Sequence, residues 1–357
     1  MSNKVTYIQS QPLADYCSAL FQSVGMSKED AIINTDNIIE ANLTGVDTHG
    51  VTRMSIYLER IRQGIVEANT EVKVIADGPS TAVLDAGNGM GAVASTKAMN
   101  MAIAKARDVG TSFVTVRNSN HYGMAAYFSK MALKEGMVGF SATNGAARMP
   151  AWGSKDTLLG TNPFSLAVPA GEELPIIADM ATSLVARGKI ILAAKNNQPI
   201  PLGWAIDKDG ADTNDAQKAL DGNVLPFAGP KGSAIAILIE AMAGIMSGAL
   251  FSTNVKDMYE NFTEPVGVGH VFGAIDISRF MPLDQYKKLI DQFIREIKNS
   301  TPAKGVTEIY LPGEIELLKR QERLSKGIPI TAAVLKELAE EGKKCGVEFP
   351  WGEEVFS

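Results

Sequence analysis

Apolar positions recur at helical spacing from the start of the chain. Leu13, Tyr16, Leu20 and Val24 share one face, Pro12 suits a first turn, and Gly25 closes the run. Ser27 followed by Asp30 predicts a capped start for a second helix through Ile32, Ile33, Ile38 and Ile39. A third helix is expected over 51–62, stopping at Gly64. From Glu71 the period drops to two: Val72 and Val74, a turn at Asp77-Gly78-Pro79, then Thr81 to Leu84, the pattern of a hairpin. Helix and strand then alternate, with a helix over 92–109, a strand over 112–116, a helix opening at Met124 and a strand over 137–142. Residues 165–168 and 174–177 read as further strands, and 183–194 as a helix. Residues 196–216, rich in Asn, Pro, Asp and Gly, read as loop. A strand over 271–277 and helices over 283–298, 314–324 and 331–342 complete the chain.

This alternation predicts an α/β protein built on a sheet. Both ends are helical, so 1–71 and 278–357 are expected to form one lobe and 72–277 an α/β nucleotide-binding lobe. Residues 232–251 are almost wholly apolar, but Glu240 sits in their middle and Gly244, Ser247 and Gly248 interrupt them. A membrane span is longer and cleaner, so this segment is expected to be a buried core helix.

At 357 residues, 45% hydrophobic and 21% charged, the composition is that of an ordered globular protein. A net charge of −6 leaves no basic stripe for nucleic acid. Cys17 and Cys345 stand far apart without metal-ligand spacing, which fits a reducing compartment and no structural metal. The polar residues 1–12 show no secretion signal, and the cytoplasm is expected.

Three groups of residues carry candidate chemistry. Ser119-Asn120-His121-Tyr122-Gly123 follows a strand and precedes a helix, which places His121, one of three histidines, at an exposed turn. His49, Arg53 and Tyr57 are spaced by four. If the third helix begins at or just before His49, they share one face, where a guanidinium fork, an imidazole and a phenol could hold a carboxylate. Short polar loops at Thr143-Asn144-Gly145, Gly160-Thr161-Asn162-Pro163, Asp179-Met180-Ala181-Thr182-Ser183 and Gly229-Pro230-Lys231-Gly232 suggest a cleft lined by backbone donors. Gly87-Asn88-Gly89-Met90-Gly91-Ala92 matches a dinucleotide fingerprint, yet the following strand ends at Arg117 where an acid for the ribose is expected.

Taken together, Thr48-His49-Gly50 with Arg53 and Tyr57, Ser119 to Gly123, Gly160 to Pro163, Asp179 to Ser183, Pro230 to Gly232 and Pro312-Gly313-Glu314 resemble the malate/L-lactate dehydrogenase family. This family is distinct from the Rossmann malate and lactate dehydrogenases. Thr48 departs mildly from the family's usual Ser, and Gly145 stands where some members have a cofactor-binding serine. The resemblance implies a mixed sheet with a non-Rossmann NAD(P)-binding lobe, a homodimer and a small 2-hydroxy acid substrate, and it sets the Gly87 loop aside as cofactor site. It makes His121 the proton acceptor and places Arg53, with His49 and Tyr57, on the substrate. It assigns cofactor contacts to Asn120, Thr161, Asn162, Asp179, Met180, Ala181, Lys231, Gly313 and Glu314.

The expected reaction is reversible hydride transfer between a nicotinamide and a 2-hydroxy acid, malate first, with NAD ahead of NADP. Arg148, Lys155 or a residue of a second subunit could meet a second carboxylate. The same layout could instead reduce a cyclic imine or a diketo sugar acid, or bind nucleotide without turnover.

Overall fold

β-Branched and aromatic residues alternate along Thr111–Ser119 and Val268–Asp276, and these two strands lie side by side within a seven-stranded sheet. The chain is described here by a computed structural model covering residues 5–356. The strand order is Lys73–Asp77, Thr81–Asp85, Thr111–Ser119, Val268–Asp276, Met137–Thr143, Phe164–Val168, Ile176–Met180. Thr81–Asp85 and Thr111–Ser119 run parallel and the other neighbouring pairs antiparallel, so the sheet is mixed.

The parallel pair is joined by the helix Gly91–Val109. Its Ala94, Ala98, Ala102 and Ala106 are fully buried against a core containing Leu84, Val114, Val116 and Phe272, small side chains that let helix and sheet approach closely. The short helix Ala125–Ser129 contributes Phe128 to the same core. The opposite face is covered over part of its area by Pro230–Ile239, which packs on Ala142 and Val271.

The two chain ends share a second core. Helices Ser10–Ser23, Lys28–Leu43, Met54–Arg62 and Ala332–Cys345 bury Leu13, Leu20, Leu58 and Leu335 together, and each such leucine contributes about 1.5–3 kcal/mol of transfer free energy. Val5–Ile8 pairs with Ile328–Thr331, tying the ends directly. Met90, Val93 and Val268 of the sheet region join this core too. Residues 149–236 enclose a third core around Met149, Ile190, Ile200 and Val224. Residues 1–4 and 357, at the extremes of the expected helical lobe, lie outside the described residues.

Three expectations need correction. The third helix begins at Met54 rather than Val51, because Asp47–His49 and Val51–Arg53 form separate 3-10 turns around Gly50. A Cβ on Gly50 would stand 2.1 Å from Asn42 Oδ1, whose side chain holds Val51 N–H at 2.8 Å. The helix expected from 183 starts only at Arg187. The apolar stretch 232–251 is not a buried helix: α-helix ends at Ile239, Glu240–Ile245 form a π turn, and one side of the segment is exposed. Its other side holds Glu240, a buried carboxylate that accepts from Asn144 Nδ2 (2.9 Å), Asn162 Nδ2 (2.7 Å) and Ser252 N–H (2.9 Å).

Candidate active site

The strand Thr111–Ser119 delivers His121 to the wall of a cleft of about 1270 Å³, larger than the ~300–1,000 Å³ of an ordinary small-molecule site and roomy enough for a dinucleotide. Two glycines fix the turn. A Cβ on Gly91 would stand 2.1 Å from the Asn120 carbonyl oxygen and 2.6 Å from that of His121. Gly123 has φ +85°, and a Cβ there would reach within 1.8 Å of Asn37 Oδ1. The Gly87–Gly91 loop therefore backs the His121 turn instead of cradling a phosphate, and none of its residues lines the cleft.

His121 Nδ1 lies 2.5 Å from Tyr57 Oη, and its ring sits 5.5 Å from the ring of His49. Burial, aided by His49, Arg53 and His270, holds the His121 imidazole well below the usual histidine range, so it is neutral near pH 7. His49 is lowered to about 4, by burial first and by Arg53 second. Burial raises the Tyr57 phenol, which stays protonated. Tyr57 itself is 7% exposed and is not among the residues lining this cleft, and its hydroxyl engages the imidazole.

Arg53 lines the cleft beside His49 and His121. Its guanidinium packs over the Tyr259 ring at 5.3 Å, its Nε lacks a hydrogen-bond partner, and among the described residues it pairs with no acid. A largely buried guanidinium in this state is a ready anion site. The loop that carries Tyr259 is held from beneath by Arg60, which donates to the carbonyls of Met258 (3.2 Å), Asn261 (2.6 Å) and Glu264 (3.1 Å). Arg148 pairs with Asp257, whose other oxygen accepts from Tyr259 N–H and Glu260 N–H. Arg148 thus lines the cleft with its charge already matched, while Lys155 is exposed outside it.

Of the residues matched to cofactor contacts, Thr161, Asp179, Met180, Ala181 and Gly313 line the cleft. Asp179 Oδ2 accepts from Ala126 N–H at 2.9 Å, and the protein crowding its wall raises the carboxyl to about 6, although the side chain still meets the water of the cleft. Four others do not reach the cleft. Asn120 turns inward to Asn88 and Gly89; Asn162 is fully buried and braces Gly145 N–H, Ala236 O and Glu240. Glu314 pairs with Lys298 and accepts from Leu311 N–H, closing the turn that presents Gly313. Lys231 is exposed on the first turn of its helix. His270 is buried between Ser119 Oγ (2.8 Å) and Thr143 Oγ1 (2.7 Å), and burial lowers its pKa to about 3 and keeps it neutral.

Tyr259 and Arg60 escaped the sequence reading. Arg60 is three residues from Tyr57 on a helix already full of charge, and no local pattern announces that it grips a loop some 200 residues later. Among the described residues no helix is long and apolar enough to cross a membrane, and no group of acids, histidines and cysteines could hold a metal.

Comparison with known proteins matches residues 8–339 to the family model described as malate/L-lactate dehydrogenase. A malate dehydrogenase of Pyrococcus horikoshii is 38% identical over 344 residues, 94% of each chain. A (2R)-3-sulfolactate dehydrogenase (NADP(+)) of Chromohalobacter salexigens is 31% identical over 95% of this chain and 98% of its own. The solved structure of sulfolactate dehydrogenase from Methanocaldococcus jannaschii superposes with a TM-score of 0.92 at 36% identity, covering 99% of this chain and 100% of that one.

Proposed function

The chain belongs to the malate/L-lactate dehydrogenase family and is an NAD(P)-dependent dehydrogenase of 2-hydroxy acids; from that premise we propose that its substrate pair is malate and oxaloacetate, with His121 moving the proton. The observation that carries this reading is one cleft wall holding a neutral imidazole beside a guanidinium without an acid partner. A nicotinamide cofactor, when bound, would supply the hydride acceptor or donor. Thr161, Asp179 to Ala181 and Gly313 are the residues that would hold the cofactor, and the cleft volume fits it. NAD comes ahead of NADP, because Asp179 and Glu316 face the cleft there and would repel a 2′-phosphate.

Arg53 binds the substrate carboxylate through its fork and so aims C2 of the hydroxy acid. His121 faces the C2 oxygen with Nε2. When Nδ1–H donates to Tyr57 Oη, Nε2 is free to accept the alcohol proton during oxidation, which leaves an imidazolium; in the reverse direction that imidazolium returns its Nε2 proton to the oxygen of the oxo acid as the carbonyl is reduced. Such proton transfer is worth roughly 10²–10⁴-fold in rate. His49 itself stays neutral beside Arg53, and Tyr259 packs over the guanidinium. Two copies of the chain form the working assembly, and free Cys17 and Cys345 support a reducing compartment, the cytoplasm first.

The test is absorbance at 340 nm with both cofactors crossed against malate, lactate, sulfolactate and ureidoglycolate. Oxidation of malate with NAD is the expected result. Turnover of another hydroxy acid only would replace the substrate, and no turnover of any would end the reading.

A further inference from the structure

Proton transfer at Nε2 of His121 makes a demand at Nδ1. Both the base and its imidazolium carry Nδ1–H, which donates to Tyr57 Oη, so the phenol must turn its own hydrogen to a different acceptor. Among the described residues Tyr57 Oη has no hydrogen-bond partner other than His121 Nδ1. Left without an acceptor, the buried hydroxyl would point back at Nδ1 and put the ring proton on Nε2, where a base must be bare.

A second cavity, of about 10 Å³, has Tyr57, Arg60, Asn120 and His121 in its wall together with apolar side chains such as Val66 and Val266. His121 lines both this cavity and the cleft. Two of the polar residues carry buried atoms without a protein partner. Arg60 is 2% exposed; its two terminal nitrogens grip carbonyls of the 258–264 loop, and its Nε–H is left unpartnered. Asn120 is 5% exposed; its Nδ2 donates to Asn88 O, Asn88 Oδ1 and Gly89 O, which orients the amide and leaves Oδ1 unpartnered. A charged donor and an amide acceptor are costly to bury alone. One water occupies roughly 10–15 Å³ of such space and makes about three hydrogen bonds, which matches the size of the cavity and its three polar atoms in need of a partner.

We infer that this cavity binds one water molecule, which accepts from Arg60 Nε–H, donates to Asn120 Oδ1 and takes the Tyr57 hydroxyl hydrogen whenever Nδ1 of His121 is protonated. Arg60 can only donate and Asn120 Oδ1 can only accept, so two of the three bonds are fixed in sense. Tyr57 is the member free to rotate. As Nε2 gains or returns the substrate proton, Nδ1–H stays on Tyr57 Oη and the water holds the phenol turned away from the ring. Arg60 and Asn120 are therefore positioning residues that act through the water and Tyr57, which gives Asn120, matched to the cofactor by resemblance, an inward role. The inference rests on His121 as the group that moves the proton and is independent of the hydroxy acid and the cofactor used.

Diffraction from crystals of the unaltered chain, at a resolution that shows ordered waters, should find one within hydrogen-bond distance of Arg60 Nε, Asn120 Oδ1 and Tyr57 Oη. Val66→Ile adds a methyl group to the apolar wall and should displace it. With whichever hydroxy acid the chain oxidises, that variant should lose about tenfold in kcat with KM nearly unchanged, and should lose nothing further when made in a Tyr57→Phe background, because the water acts only through the phenol. A packing defect would instead cost as much with the phenylalanine as with the tyrosine. A cavity without a water bridging the three atoms, a Val66→Ile enzyme of normal kcat, or losses that add in the double variant would each overturn the inference. Should no hydroxy acid be turned over, the proton role of His121 fails while diffraction still decides the water; an active enzyme with no water there defeats the inference alone.

Discussion

Tyr57 Oη and His121 Nδ1 stand 2.5 Å apart, although 64 residues separate them in the chain. The phenol is buried and engages Nδ1, so Nε2 is the ring nitrogen left available to a substrate in the cleft that His121 lines. His121→Gln is expected to lower kcat by roughly 10²–10⁴-fold while cofactor Kd, from nicotinamide fluorescence titration, stays within about twofold. Tyr57→Phe should lower kcat by about tenfold or more with KM nearly unchanged, since it removes the orienting bond and leaves Arg53 in place. A Tyr57→Phe enzyme of normal kcat would show that packing alone holds the ring.

Among the described residues Arg53 pairs with no acid, and its guanidinium packs over an aromatic ring. Arg53→Lys keeps the charge but loses the bidentate geometry and the stacking, so KM for the hydroxy acid should rise about tenfold or more, a loss of about 1.4 kcal/mol or greater. Cofactor binding should not change. An unaltered KM in steady-state kinetics would remove Arg53 from the carboxylate site.

The pH profile follows from the depressed imidazole. A base acts only when unprotonated, and burial keeps the His121 pKa well below 6.5. The kcat/KM for alcohol oxidation should therefore stay level as pH falls through 6.5 and decline only in more acid solution. A limb with its midpoint at or above 6.5, for a chain whose circular dichroism is unchanged, would contradict the burial of this group.

Gly91 touches no ligand, yet its missing side chain admits the carbonyls of Asn120 and His121. Both are backbone atoms and cannot rotate aside. Gly91→Ala should lower stability by about 1–3 kcal/mol and displace the His121 turn, reducing kcat more than the stability loss alone accounts for. Thermal unfolding together with single-turnover kinetics would separate the two effects, and an alanine variant normal in both would disprove the close approach.

Sequence by itself determined the elements and their chemistry. The strands expected over 112–116 and 271–277 are met by Thr111–Ser119 and Val268–Asp276, because side chains of a strand alternate faces and leave a pattern, and the capped start at Ser27 is met by its hydroxyl accepting from Asp30 N–H. The motif residues on short loops were legible because few residue types supply protons or grip a carboxylate. Tertiary structure alone decided how these parts meet. His49, Arg53 and Tyr57 were expected on one helix face, but two 3-10 turns intervene, and the gathering of His49, Arg53 and Tyr57 about His121 depends on a strand end brought in from elsewhere. Lys231 and Glu314 carried suitable chemistry and are not among the residues lining the cleft, while Arg60 and Tyr259 shape it with no sequence signal. The apolar stretch 232–251 could be read as buried, yet which of its sides finds a partner depends on how much of the sheet one helix can cover. Local patterns encode which face of an element avoids water; they do not encode which distant surface removes it, because that contact is made between residues with no fixed spacing in the chain.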